Sequence, residues 1–221
     1  MTSSAPLPMA AAASDAADSS EGVGRKRPKP GERKVQILQA LATMLEQPGA
    51  ERVTTAALAA RLEVSEAALY RHFASKAQMF EGLIEFIEQT VFGLINQLGD
   101  REPDAIVRSR KLVSLLLQFG EKNPGMTRVM VGDALVFENE RLQQRMNLFF
   151  DKIESALRQN LREAAVLVGT STPTVDAQAD ASVITSFCVG RLQRFARSGF
   201  KRSPSESLDH SLAMLLPDGR L

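Results

Sequence analysis

The chain of 221 residues has one cysteine, two histidines and almost no net charge, with 27 Lys and Arg against 26 Asp and Glu. One cysteine excludes an internal disulfide and permits a reducing cytoplasm. Set in the apolar stretch SFCVG, Cys188 reads as a small buried residue rather than a reactive thiol. Together with His72 and His210 it forms no metal-ligand cluster, and no serine stands in a G-x-S-x-G elbow. No apolar run approaches the roughly 18 residues of a membrane span, and no alternating run reaches strand length. The string GEKNPGMT, residues 120–127, has the spacing of a phosphate-binding loop but places Met126 where that loop needs lysine. It also follows the helical run KLVSLLLQF instead of a strand. These absences leave no enzyme, cofactor, metal or membrane to expect, and an all-helical chain.

Net charge is small in total, but the charges are unevenly placed. Residues 25–76 hold ten Lys or Arg against five Asp or Glu, whereas residues 1–24 hold none against three and residues 77–221 hold 17 against 18. A local excess of 10 − 5 = +5 is where attraction to phosphates would need it. Residues 1–24 are rich in Ala, Ser and Pro, and Asp15, Asp18 and Glu21 argue against a signal peptide. With almost nothing to bury, residues 1–31 read as a disordered tail ending in a basic arm. That arm, RKRPKPGERK at residues 25–34, suits either the minor groove of DNA or a solvated leash.

Helical periodicity continues almost throughout. Helix 1 spans about 33–47, with Val35, Leu38, Ala42 and Leu45 on one face, Ile37, Leu41 and Met44 widening it, and Pro48 and Gly49 as its stop. Thr54 or Thr55 caps helix 2, Ser65 caps helix 3 and Ser75 caps a long helix 4 ended by Gly99 and Asp100. Further helices are expected over about 104–122, 126–131, 135–168, 173–200 and 205–216. The expectation is thus about nine helices, with residues 32–76 as one domain and 77–221 as a larger one.

Between Thr54 and Phe73 lie two short helices joined by a turn, an arrangement that lets the second enter the major groove while the first braces it. Ala56, Ala59 and Ala60 allow close crossing, and Leu58, Leu62, Val64, Leu69 and Phe73 fill the shared core. The exposed candidates are then Ser65, Glu66, Ala67, Tyr70, Arg71 and His72. Glu63 sits at the joint, where one residue must take a positive φ at a cost of about 1 kcal/mol for a non-glycine.

The string VSEAALYRHFASK, residues 64–76, resembles the recognition helix and following turn of the TetR family of bacterial DNA-binding proteins. The resemblance implies phosphate contacts at Tyr70 and Lys76. Thr54 and Thr55 would add a hydroxyl and the amides of a helix start. Ser65, Glu66, Ala67 and His72 would meet base edges, with Arg71 beside them. Residues 83–88 (LIEFIE), 119–145 and 187–204 are similar to the nucleoid occlusion branch of that family.

That resemblance implies a cytoplasmic, nucleoid-associated homodimer that binds a palindromic duplex site and blocks assembly of the division protein FtsZ. The FtsZ C-terminal tail would lie between the fourth and fifth helices, on Phe86 and Leu115 as apolar anchors and Lys122 and Asn123 as polar contacts. Dimerisation is expected through the last long helices, including Val183, Phe187, Gly190 and Phe195. The rival expectation is a ligand-released repressor with a pocket in the larger domain. Glu138 and Glu140, in ENERLQQR, read as part of a solvated helix face.

Overall fold

The computed structural model describes residues 31–47 and 53–216, which leaves the tail, most of the basic arm and the Pro48–Gly49 stop outside the described residues. Nine α-helices and one short 3-10 turn lie among the described residues, and no strand does. They are α1 (Glu32–Leu45), α2 (Thr55–Arg61), α3 (Glu66–Tyr70), α4 (Lys76–Arg101) and α5 (Ala105–Lys122). After them come α6 (Pro124–Met130), the 3-10 turn (Asp133–Leu135), α7 (Glu140–Leu167), α8 (Pro173–Arg197) and α9 (Leu208–Leu215).

Five helix starts are set by side-chain caps that relieve unpaired first-turn amides, the fifth being Asn139, which accepts from the Arg141 amide. The oxygens of Thr54, Ser65, Ser75 and Asp104 accept from the amides of Ala57, Ala68, Gln78, and both Ile106 and Val107, respectively. Three later boundaries differ from expectation. Helix α7 starts at Glu140 instead of near Leu135, because Gly132 turns left-handed and the chain makes only a 3-10 turn before Asn139 caps the helix. Helix α8 ends at Arg197, where Gly199 and Phe200 take positive φ. Helix α9 starts at Leu208, after the left-handed Ser207.

One apolar cluster runs through the described helices, from Ile37 and Leu41 of α1 through Phe80, Ile84 and Phe149 to Leu212 of α9. On α1, Ile37, Ala40, Leu41, Ala42 and Leu45 are buried, so the expected apolar face turns inward along the Ile37, Leu41 and Leu45 row, whereas Val35 at its margin is exposed. On α4, Met79, Phe80, Leu83, Ile84, Ile87 and Val91 are buried, but Leu94 is not. Phe92 packs on Phe149 at 5.3 Å between ring centroids. Cys188 is fully buried, and desolvation pushes its thiol up to about 12.

Helix α6 fixes the first helix onto the bundle. Arg128, only 8% exposed, donates from Nε to Asp133 at 2.6 Å and from one terminal nitrogen to the carbonyls of Leu45 and Gln47 at the end of α1. A positive charge there meets carbonyls at the helix end and the negative end of the helix dipole. Gly125 lets the backbones touch, since a Cβ there would stand 2.0 Å from the Ala42 carbonyl oxygen. Helices α4 and α7 are strapped by Arg141 to Glu81 and by Arg145 to Glu88, the latter at 2.6 Å.

Candidate nucleic-acid interface and partner groove

Helices α2 and α3 meet through a turn in which Glu63 has φ 52°, the left-handed conformation expected at the joint. Its neighbours hold that strain, because the Val64 amide donates back to the Ala59 carbonyl and the Leu62 amide to Leu58. Leu58, Ala59, Leu69 and Phe73 are buried between the helices. Ser65, Glu66, Ala67, Tyr70 and Arg71 are left exposed, Tyr70 at 45%. His72 is half-buried and lies beyond the helix, since α3 stops at Tyr70 and the His72 and Phe73 amides both return to the Leu69 carbonyl.

Three side chains of the interface, Thr55, Glu66 and Lys76, are already engaged. Thr55 donates its hydroxyl to Glu66 Oε2 at 2.6 Å, tying the brace helix to the first turn of α3. This bond removes Thr55 Oγ1 as a simple phosphate donor and fixes the rotamer of Glu66; its signal in the sequence, a hydroxyl eleven residues before a carboxylate, is too common to read. Thr54 is exposed, and its cap uses an oxygen lone pair rather than its proton, so the hydroxyl can still donate.

Lys76, the first residue of α4, is half-buried and ion-paired to Glu138, and its ammonium also stands 5.7 Å from the Phe80 ring centroid. The expectation of a solvated face around Glu138 therefore fails. Glu138 precedes α7, and its side chain is only 10% exposed.

Phe86 projects from the middle of α4 at 37% exposure, and Leu115 is half-buried on α5, which packs beside α4. Lys122 is exposed as the last residue of α5. Asn123 donates its side-chain amide to the Phe119 carbonyl at 2.7 Å, so it ends α5 whatever else it touches. On α8, Val183 is 56% exposed, and Phe187 and Gly190 are half-buried. Phe195 leaves that stripe. Five residues after Gly190 it points to another face, is 3% exposed and packs on Phe200 at 5.2 Å. No group of three or more His, Cys, Asp or Glu suited to a metal lies among the described residues, and no helix there is long and apolar enough to cross a membrane.

A capped two-helix unit ahead of a long linking helix and a helical bundle defines a TetR-type regulator. Residues 37–83 match the family described as bacterial regulatory proteins, tetR family. Residues 103–218 match the SlmA-like family, described as tetracyclin repressor-like, C-terminal domain. The nucleoid occlusion factor SlmA of Vibrio vulnificus strain YJ016 is 52% identical over 188 residues, covering 85% of this chain and 95% of that protein. SlmA of Aliivibrio fischeri strain MJ11 is 48% identical over 193 residues, covering 85% and 96%. Among solved structures, the fatty acid degradation regulator FadR of Bacillus halodurans superposes with a TM-score of 0.69 at 15% identity, covering 87% of this chain and 99% of that one; this likeness concerns the fold alone. The chain belongs to the SlmA family of TetR-type bacterial regulators.

Proposed function

We propose that the protein is a nucleoid occlusion factor: a dimer that binds palindromic chromosomal sites and, from them, inhibits FtsZ assembly. The observation that carries this reading is the 52% identity to nucleoid occlusion factor SlmA across 188 residues, which includes both the helix-turn-helix unit and the bundle. Residues 32–76 read the DNA and residues 77–221 carry the partner and dimer surfaces. Tyr70, Lys76 and Thr54 hold phosphates, with the α2 amides beside Thr55; Ser65, Glu66 and Ala67 meet bases, flanked by Arg71 and His72. The exposure of Ser65, Glu66, Ala67, Tyr70 and Arg71 on one short element supports that division.

The FtsZ tail lies along α4 and α5, with Phe86 and Leu115 as anchors and Lys122 and Asn123 at the polar end. An apolar trough with a basic rim suits a short peptide of mixed acidic and apolar character. Two copies associate through α7 and α8, where the exposed Val183 and the open Gly190 support close approach.

The test is FtsZ sedimentation with this protein, with and without a duplex site that it has selected from a randomised pool. Polymer should fall when both protein and duplex are present. Unchanged polymer in the presence of duplex would overturn the reading.

A further inference from the structure

The bridge between the 3-10 turn and α7 is folded against the usual order of polarity. Val136 and Phe137 are 70% and 66% exposed, and Asn139 and Glu140 are exposed as well, yet the Glu138 side chain between them is 10% exposed. A chain minimising free energy by burial alone would turn the phenylalanine in and the carboxylate out. The partner that draws Glu138 inward is Lys76 Nζ, the ammonium at the first turn of α4. Both ends of the bridge are anchored, by Ala134 and Leu135 on one side and Leu142 on the other, each no more than 3% exposed. Glu138 can therefore leave Lys76 without exposing the core.

We propose that Glu138 sets the protein's affinity for DNA by competing with a backbone phosphate for Lys76. The proposal rests on the reading of Lys76 as a phosphate contact. In the DNA-free molecule the carboxylate neutralises the ammonium. When a phosphate arrives, the two anions share one cation, so either Glu138 moves away or its charge repels the phosphate. Either course subtracts from binding, and it subtracts most from phosphate contact, which is independent of sequence. Glu138 thereby makes recognition depend more on base contacts. Because the same residue leads into α7, anything that holds the bridge away from Lys76 strengthens DNA binding, and DNA strengthens that holding reciprocally.

The experiment measures binding of the selected duplex and of an unrelated duplex across a salt series, for the parent, Glu138→Gln, Glu138→Asp, Lys76→Ala and the double variant. Glu138→Gln should bind both duplexes roughly threefold to tenfold tighter, with a salt slope steeper by up to about 0.9, as expected for one further neutralised phosphate. Glu138→Asp should stay near the parent, and the gain should vanish when Lys76→Ala is also present. A merely structural role for Glu138 would lower thermal stability and leave the slope unchanged. Unchanged or weaker binding by Glu138→Gln, with Lys76→Ala still weakening the parent, overturns the competition alone. Unchanged binding by Lys76→Ala overturns the phosphate role of Lys76 and the competition with it.

Discussion

Tyr70 and Phe86 are both exposed aromatic rings, at 45% and 37%, but they stand on different foundations. Tyr70 ends a five-residue helix held by one serine cap, one buried leucine and a left-handed joint. Phe86 stands midway along a 26-residue helix whose other side buries Met79, Phe80, Leu83, Ile84, Ile87 and Val91. The first surface depends on local chemistry, and an isolated helix of that length would not persist in water. The second is the outward side of a bundle that exists for packing reasons. Weakening a cap should therefore harm the reading surface first, whereas the α4–α5 surface should yield only to damage in the core.

The largest effect should come from Phe149→Ala, which empties a fully buried site between α4 and α7. A loss of about 3–5 kcal/mol is expected. Because the apolar cluster is continuous from α1 to α9, both surfaces should be lost in one transition, measurable by thermal unfolding monitored with circular dichroism and with DNA binding. Separate transitions would break the claim of a shared core.

Next comes Gly125→Ala at the contact of α6 with α1, where backbone blocks the added methyl. About 1–3 kcal/mol of destabilisation is expected. Hydrogen exchange should reveal it most strongly at the end of α1, where Arg128 holds the last carbonyls.

Thr54→Ala removes the α2 cap and should cost about 1 kcal/mol. DNA binding should weaken while a folded bundle persists. An equal loss at the α4–α5 surface would show that the two surfaces are not independent at this scale.

The smallest effect on stability should follow Phe86→Ala, under about 1 kcal/mol because the ring is only partly covered. Duplex binding should be unchanged, and so should that of Lys122→Glu, while both variants lose inhibition of FtsZ in sedimentation. If both still inhibit, the proposed groove is misplaced.

The helix-turn-helix unit was legible because its determinants lie within a few residues of one another: Thr54, Ser65 and Ser75 cap the helices that follow them, and Glu63 takes the left-handed φ where the joint requires it. Helical periodicity likewise placed α5 and the start of α8 within a residue of where they stand. The start of α7 is not legible in the periodicity, because apolar residues continue through 134–137 although the backbone turns at Gly132. Phe195 departs from the expected dimer stripe because loose apolar spacing does not define one helical face, and packing on Phe200 holds its ring inward.

Sequence by itself determined the all-helical class, the caps and the two-helix unit, since periodicity and capping act over a single turn of helix. Only the tertiary structure decided which helices share a core, that Arg128 closes α1 from 83 residues away, and that Glu138 reaches Lys76 from 62 residues away. Those pairings depend on bringing distant segments together, and a carboxylate or guanidinium carries no mark in the sequence of the charge it will face.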